Sequence, residues 1–390
     1  MAPFEFRTVA RLVCESGCTQ RLPELVQPLL AQHQLSIARV FLLADPFIAA
    51  TPTCKAIVDA FHAAGHAVQL CNDVEPDPPE ALVERTAKLA VDFGANVVLA
   101  IGGGSTLDVA KLIAVLARGK QSLQSMYGVG NVSSDRLPLV LVPTTAGTGS
   151  EVTPISIVTT GADTKMGVVS PVLYGDLAVL DADWTLSLPQ HVTAATGIDA
   201  MVHAIEAYTS KRLKNPYSDF LACEALRLLA ANLPVVCREP GNREARQAMM
   251  LGACLAGQSF ANAPVGAVHA LAYPVGGIFH VPHGLSNSLV LPHVLRFNLP
   301  AAEQQYAELA LVLKLGHHGD NQAQLAQAFI DYTATLSPST GLPVGLREVG
   351  IQPGDLPAMA KAAMLQTRLL SNNPRDMDEA QALAIYEQAY

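Results

Sequence analysis

Short apolar runs that stop at a turn signal, each followed by a segment with helical periodicity, recur down the first half of this chain. Few folds accommodate that alternation. Residues 40–44 (VFLLA) form an apolar run ending at Asp45-Pro46. A helical pattern over 54–64 stops at Gly65, and 67–71 (AVQLC) reads as a second strand. Asp77 and Glu80, around Pro78-Pro79, look like a capping box with prolines in the first turn. The helix behind them turns Leu82, Val83, Leu89 and Phe93 inward and ends at Gly94. Residues 96–101 (NVVLAI) are a third strand, followed by the GGGSTLD segment 102–108 and a helix over 109–117. Residues 137–142 (LPLVLV) are a fourth strand that runs into PTTAGTGSE at 143–151. A hairpin over 155–160 and 166–170 and a strand over 177–181 close the series. The expectation is a mainly parallel sheet with helices on both faces, and such sheets bind ligands at the carboxyl ends of their strands.

That rule selects residues. Gly102, Gly103, Gly104 and Ser105 lie where a strand ends and a helix begins. Glycines let backbone approach a phosphate closely, and a helix N-terminus offers free N–H groups and a positive dipole. A tight turn would also use glycine, so the second loop, Thr144 to Gly149 after another strand, matters. Asp45 closes a third strand at the same edge and is placed to accept hydrogen bonds from a ribose. Its charge would repel a 2′-phosphate, which favours NAD over NADP. The G-x-G-x-x-G fingerprint is absent and the acidic residue precedes the glycine loop, so this is a dinucleotide site of different wiring. Lys165 in the hairpin is either a surface lysine or, if the hairpin overhangs the cofactor, a contact to ribose or phosphate.

From Ser187 the texture changes: alanine, leucine and glutamine dominate and β-branched runs disappear. The expected boundary gives an α/β domain over 1–186 and an all-helical domain over 187–390. Helices are predicted over 190–209, 216–233, 243–262, 264–275, 303–315, 321–336, 342–350, 355–363 and 378–388. In the first of these Asp199 and His203 stand four residues apart, on one helix face. They read as a polar stripe or as two ligands of one cation. His269 and His283, fourteen residues apart, complete a three-histidine, one-carboxylate set. Nitrogen-rich donors with one carboxylate and no thiolate suit Fe²⁺ or Zn²⁺. His280, His293, His317 and His318 read as structural or solvated, with His280 a neighbour of the set.

Composition narrows the partners. Half the residues are hydrophobic, 15% are charged and the net charge is −9, which argues against nucleic acid and an anionic membrane surface. No uninterrupted apolar run of about 18 residues occurs, so no spanning helix is expected. The early Glu5 and the lack of an apolar core in the first residues argue against a signal peptide. Seven cysteines without a C-x-x-C pair read as free thiols in a reducing cytoplasm.

The motifs together resemble those of the iron-containing (group III) alcohol dehydrogenase family. They are the GGGSxxD segment 102–108, PTTAGTGSEV at 143–152, GIDAMVHAIEAY at 197–208, HALAYPVGG at 269–277 and VPHGLSNSLVLPH at 281–293. Asn373-Pro374-Arg375 is similar to the family's closing segment. The resemblance spans essentially the whole chain. It implies an N-terminal Rossmann-like dinucleotide-binding domain with a mainly parallel sheet. A C-terminal helical bundle follows, in a dehydroquinate-synthase-like architecture with cofactor and metal in the cleft between. It implies Asp199, His203, His269 and His283 as metal ligands, and Asp45, Gly103, Gly104, Ser105, Asp108, Thr144, Thr145, Thr148 and Lys165 as cofactor contacts. Phe260 falls where relatives line the substrate channel. The histidine that many relatives carry four residues after the third ligand is Tyr273 here, so Tyr273, His280 or water is left to move the proton. The implied activity is hydride transfer between an alcohol, or its aldehyde or ketone, and NAD, in a homodimer with Fe²⁺ or Zn²⁺. A metal-dependent lyase or hydrolase acting on a phosphorylated substrate is the alternative that the same architecture allows.

Overall fold

The computed structural model describes residues 3–161 and 164–390. The chain divides into two compact units. One comprises Arg7–Thr145 and Gly149–Leu186, and the other Met1–Phe6, Ala146–Thr148 and Ser187–Tyr390.

The α/β unit holds strands β1 (Arg11–Cys14), β2 (Arg39–Ala44), β3 (Ala67–Cys71), β4 (Val97–Gly102), β5 (Gly128–Val129), β6 (Leu139–Pro143), β7 (Ile155–Thr160), β8 (Thr164–Val169) and β9 (Leu177–Leu180). Its helices are α1 (Leu22–Gln32), α2 (Pro46–Ala49), α3 (Pro52–Ala63), α4 (Glu80–Phe93) and α5 (Gly104–Leu116). Six strands form a parallel sheet in the order β1-β9-β6-β4-β2-β3, and β5-β8-β7 form a small second sheet. The central strands read as continuous apolar runs because both faces are covered. Phe41, Leu43, Val98, Ala100, Leu139 and Leu141 join the core cluster that includes residues of α4 and α5. Their alternates Val40, Leu42, Ala44, Leu99 and Val140 join the one that includes residues of α1 and α3.

Chain order reverses between β2 and β4: β3 lies on one side of β2 and β4 on the other. A parallel sheet opens a crevice at the carboxyl ends of strands where the order reverses in this way. The register sets Ala44 beside Ile101 and Gly102 beside Pro143, so the residues that follow β2, β4 and β6 leave the sheet side by side. Two readings from sequence need correction. β1 and α1 precede the first predicted strand, and β1 takes the sheet edge, leaving β9 between β1 and β6. The helix expected from residue 109 begins at Gly104, with Gly103 as its N-cap.

The helical unit contains α6 (Gln190–Thr209), α7 (Pro216–Arg238), α8 (Arg243–Asn262), α9 (Ala267–Phe279), α10 (His283–Val312), α11 (Gln322–Thr340), α12 (Leu356–Met364), α13 (Thr367–Leu370) and α14 (Glu379–Ala389). α6 is buried nearly all round, packed by α7, α8 and α10. It is therefore a central helix and not the amphipathic surface stripe that Asp199 and His203 alone would suggest. The segment after residue 275 was expected to hold no helix before 303, yet α10 fills it. Pro292 and Pro300 disguise it in the sequence, and the break in helical geometry comes only at Ala302. The helix expected over 342–350 is a single 3₁₀ turn, Leu346–Val349.

By length and composition alone α7 could cross a membrane. It instead packs against α6 and α8 with Ala222, Ala225, Leu226, Leu229 and Leu233 buried, the periodicity of a core helix. An Arg227–Glu224 pair lies on its exposed side.

Candidate active site

Three helices assemble the donor set. α6 carries Asp199 and His203 one turn apart, α9 brings His269 in its first turn, and α10 opens with His283. Gly284 makes the last placement possible. A Cβ there would lie 2.3 Å from the Ala195 carbonyl oxygen, so the first turn of α10 lies directly on the α6 backbone. Asp199 Oδ1 lies 4.0 Å from His203 Nε2, 3.8 Å from His269 Nε2 and 3.6 Å from His283 Nε2. The donor atoms of Asp199, His203 and His269 all lie within 4.8 Å of one another. Asp199, His203 and His269 are buried, whereas His283 is exposed and forms the open side.

The protonation states suit a cation. Burial pushes the His203 imidazole down to about 3, with Asp199 opposing, so it is neutral and offers a lone pair. Burial works against the Asp199 charge, but His203, His283, His269 and the Asn287 amide together hold its carboxyl below the ordinary value. Asn287 was not singled out from sequence. Its Nδ2 donates to Asp199 Oδ1 at 2.7 Å and stands 3.3 Å from both His269 Nε2 and His283 Nε2. Its Oδ1 is buried with no hydrogen-bond partner, a cost of about 1–3 kcal/mol in a protein without a compensating ligand. One carboxylate and three imidazole nitrogens fit a borderline divalent cation, whose bonds to such donors are about 2.0–2.2 Å.

Aromatic rings wall the set. Phe260 stacks on His203 with centroids 4.3 Å apart, and His203 stacks on His269 at 4.7 Å. Tyr273, one turn beyond His269 on α9, has its ring centroid 6.1 Å from that of His283. His280 occupies the left-handed C-cap of α9, with φ of 55°, and is exposed.

In the α/β unit, Asp45 follows β2 and uses Oδ1 to accept the Ile48 N–H at 2.9 Å, capping α2. Gly102 ends β4 and its backbone oxygen accepts the Thr144 N–H at 3.0 Å, joining the two strand-end loops. A Cβ on Gly102 would lie 2.5 Å from Thr106 Oγ1, so the turn into α5 is closed to any other residue. Gly103, Gly104 and Ser105 are half-buried at the N-terminus of α5, which no side chain caps. Thr145 approaches Gly103, while Thr148 belongs to the helical unit.

Asp108 is engaged within the protein. Oδ1 accepts from Ser150 Oγ at 2.6 Å and faces Lys111 Nζ at 3.3 Å, and Oδ2 accepts the Ile157 N–H at 2.9 Å. Lys111, fully buried, also donates to Ser150 Oγ and to the Ile155 carbonyl, both at 2.7 Å. Lys165 pairs with Asp77 and donates to Thr159 Oγ1 at 3.3 Å.

Sequence reasoning passed over Glu206, Asn287 and Lys111. Each stands three or four residues from a residue it did select, His203, His283 and Asp108, on the same helical face. That spacing was the available signal.

Comparison with known proteins places these features in one family. The profile of iron-containing alcohol dehydrogenase matches residues 10–182, and that of the Fe-containing alcohol dehydrogenase family C-terminal region matches 193–390. Long-chain-alcohol dehydrogenase 1 of Geobacillus thermodenitrificans strain NG80-2 is 37% identical, over 96% of this chain and 93% of its own. A crystal structure of 1,3-propanediol oxidoreductase superimposes with a TM-score of 0.94 at 31% identity, covering all of both chains. The sulfoacetaldehyde reductase of Bifidobacterium kashiwanohense, solved in complex with NAD⁺, is 26% identical with a TM-score of 0.87 over 100% of this chain and 99% of its own. Two matched profiles and a relative of this similarity along nearly its whole length establish that the chain belongs to the iron-containing alcohol dehydrogenase family.

Proposed function

We propose that this protein is a metal-dependent alcohol dehydrogenase or aldehyde reductase that exchanges a hydride with NAD. The carrying observation is the donor set itself: an ionised Asp199, a neutral His203, and the Nε2 atoms of His203, His269 and His283 converging on one Asp199 oxygen. Those four side chains would hold Fe²⁺, and the same donors accept Zn²⁺. The cation supplies Lewis acidity, which lowers the pKa of an alcohol and polarises a carbonyl in the reverse direction. The nicotinamide supplies the hydride chemistry.

The chain's own residues do the rest. Gly103, Gly104 and Ser105 offer the uncapped N-terminus of α5 to the pyrophosphate. Asp45, at the order reversal of the sheet, faces the ribose and disfavours a 2′-phosphate, hence NAD and not NADP. Thr144, Thr145 and Thr148 supply hydroxyls along the second loop, and Lys165 supplies a cation from the hairpin. Asp108 works through Lys111 and Ser150, which tie that second loop to α5. The stacked Phe260, His203 and His269 rings keep water from one side of the donor set and narrow the space for substrate. Tyr273 moves the proton, its ring being near the His283 ring, with His280 as the outer neighbour. Free cysteines suit a cytoplasmic protein, and family resemblance supports a homodimer.

The test is turnover with a panel of short alcohols, diols and aldehydes, with NAD and with NADP, followed by nicotinamide absorbance. Activity with NAD that chelation removes and Fe²⁺ or Zn²⁺ restores supports the proposal. An enzyme inert toward the whole panel with metal restored, or one that binds no NAD, sinks it.

A further inference from the structure

Glu206 is a buried carboxylate outside the four-ligand set. It sits on α6 three residues beyond His203, and both its oxygens meet the first turn of α9. Oε1 accepts the Val268 N–H at 2.6 Å, and Oε2 lies 2.6 Å from His269 Nδ1. A carboxylate oxygen can only accept at that distance, so the imidazole has to donate. Nδ1 then carries the proton and Nε2 keeps its lone pair.

The opposite edge of the ring gives the same answer. Asn287 Nδ2 lies 3.3 Å from His269 Nε2. The 2.7 Å contact to Asp199 Oδ1 identifies that end of the amide as the donor. A donor beside Nε2 matches a lone pair and would face an Nε2–H unfavourably. His203 has no carboxylate partner of this kind, and its ring stacks between those of Phe260 and His269.

We infer that Glu206 is a tautomer lock: a positioning residue that keeps the Nε2 lone pair of His269 directed at Asp199. The inference rests on reading the donor set as a metal centre. The plain alternative is that Glu206 merely caps α9, whose N-cap Gly266 has no side chain to accept the Val268 N–H.

Glutamine separates the two roles. In Glu206→Gln the amide oxygen can still accept from Val268, which leaves the NH₂ group facing His269 Nδ1. That group donates, so Nδ1 becomes the acceptor and the proton moves to Nε2, into the donor set. A cap survives this exchange, whereas a lock is inverted.

The experiment uses metal-free full-length protein with ¹⁵N-labelled histidine, the His269 signals being identified by their loss in His269→Asn. Long-range ¹H–¹⁵N spectra are expected to show Nδ1–H in the wild type and Nε2–H in Glu206→Gln. Thermal melting of the two metal-free proteins should agree, while affinity for Fe²⁺ or Zn²⁺ in chelator competition falls about 10–100-fold. An Nε2–H tautomer in the wild type overturns the inference, and that spectrum decides the matter even if the variant fails to fold. Equal metal affinity in the two proteins overturns it while leaving the metal centre standing. A wild type that binds neither ion overturns both.

Discussion

At the residue scale the most exposed consequence of burial is Glu151. It is 3% exposed, two residues beyond the second glycine loop, and burial pushes its carboxyl from 4.5 up to about 7 against a backbone hydrogen bond and the Lys111 charge. A folded-state value above the unfolded one means that the native protein holds a proton the unfolded chain has released. That contribution to stability is complete below about 4.5 and is lost as pH rises through 7. Glu151→Gln should therefore be more stable than wild type at pH 8, by up to about 3 kcal/mol, and nearly equal to it at pH 5. Urea melts at the two pH values check this, and a difference independent of pH refutes it. Tyr273 gives a second prediction. Tyr273→Phe should lower kcat by about 10²-fold or more with little change in KM if its hydroxyl moves the proton. An unchanged kcat assigns that step elsewhere. The residues named from sequence were those whose chemistry shows in a short motif, such as Asp199 and His203. Glu206 and Asn287 escaped because their spacing from His203 and His283 marks a shared helical face but not what that face meets on another helix.

At the scale of elements, the donor set depends on how closely α10 lies against α6. Gly284→Ala would drive a Cβ against the Ala195 carbonyl and within 3.3 Å of Asp199 Cβ, both parts of a buried helix. Backbone cannot give way as a flexible side chain does. The substitution should cost about 1–3 kcal/mol and weaken metal binding, because it lifts His283 and Asn287 together. Denaturant melts and chelator competition on the same preparation check both effects, and retention of both would show that the contact relaxes freely. The central strands β2, β4, β6 and β9 were legible because two covered faces leave an unbroken apolar run between turn residues, whereas the exposed β1 and β5 carry no such run. α8 was legible over the whole of 243–262 for the complementary reason, an uninterrupted helical period. α10 was not, because Pro292 and Pro300 mimic stop signals inside a helix. Propensity also failed at 342–350, where chain packing kept only a 3₁₀ turn.

At the scale of the whole molecule, the sequence shows a change of composition near Ser187, and the helical unit draws on separate stretches of chain, Ala146–Thr148 as well as Ser187–Tyr390. The return of Ala146–Thr148 to the helical unit was not visible, since three residues carry no compositional signal. All four proposed ligands lie in the helical unit, so a bound cation should stabilise that unit by mass action. Chelation should lower its melting temperature, and Asp199→Asn should abolish the metal-dependent part of that shift. A melting temperature indifferent to both would separate the donor set from any ion.

The central claim is that one cation held by Asp199, His203, His269 and His283 is required for hydride transfer to NAD. Titration of metal-free protein with Fe²⁺, while alcohol-dependent nicotinamide reduction is followed, tests it most directly. Activity should rise from baseline and saturate near one equivalent per chain, with no rise in Asp199→Asn. Full turnover in the metal-free protein, or the same titration curve in Asp199→Asn, would contradict it.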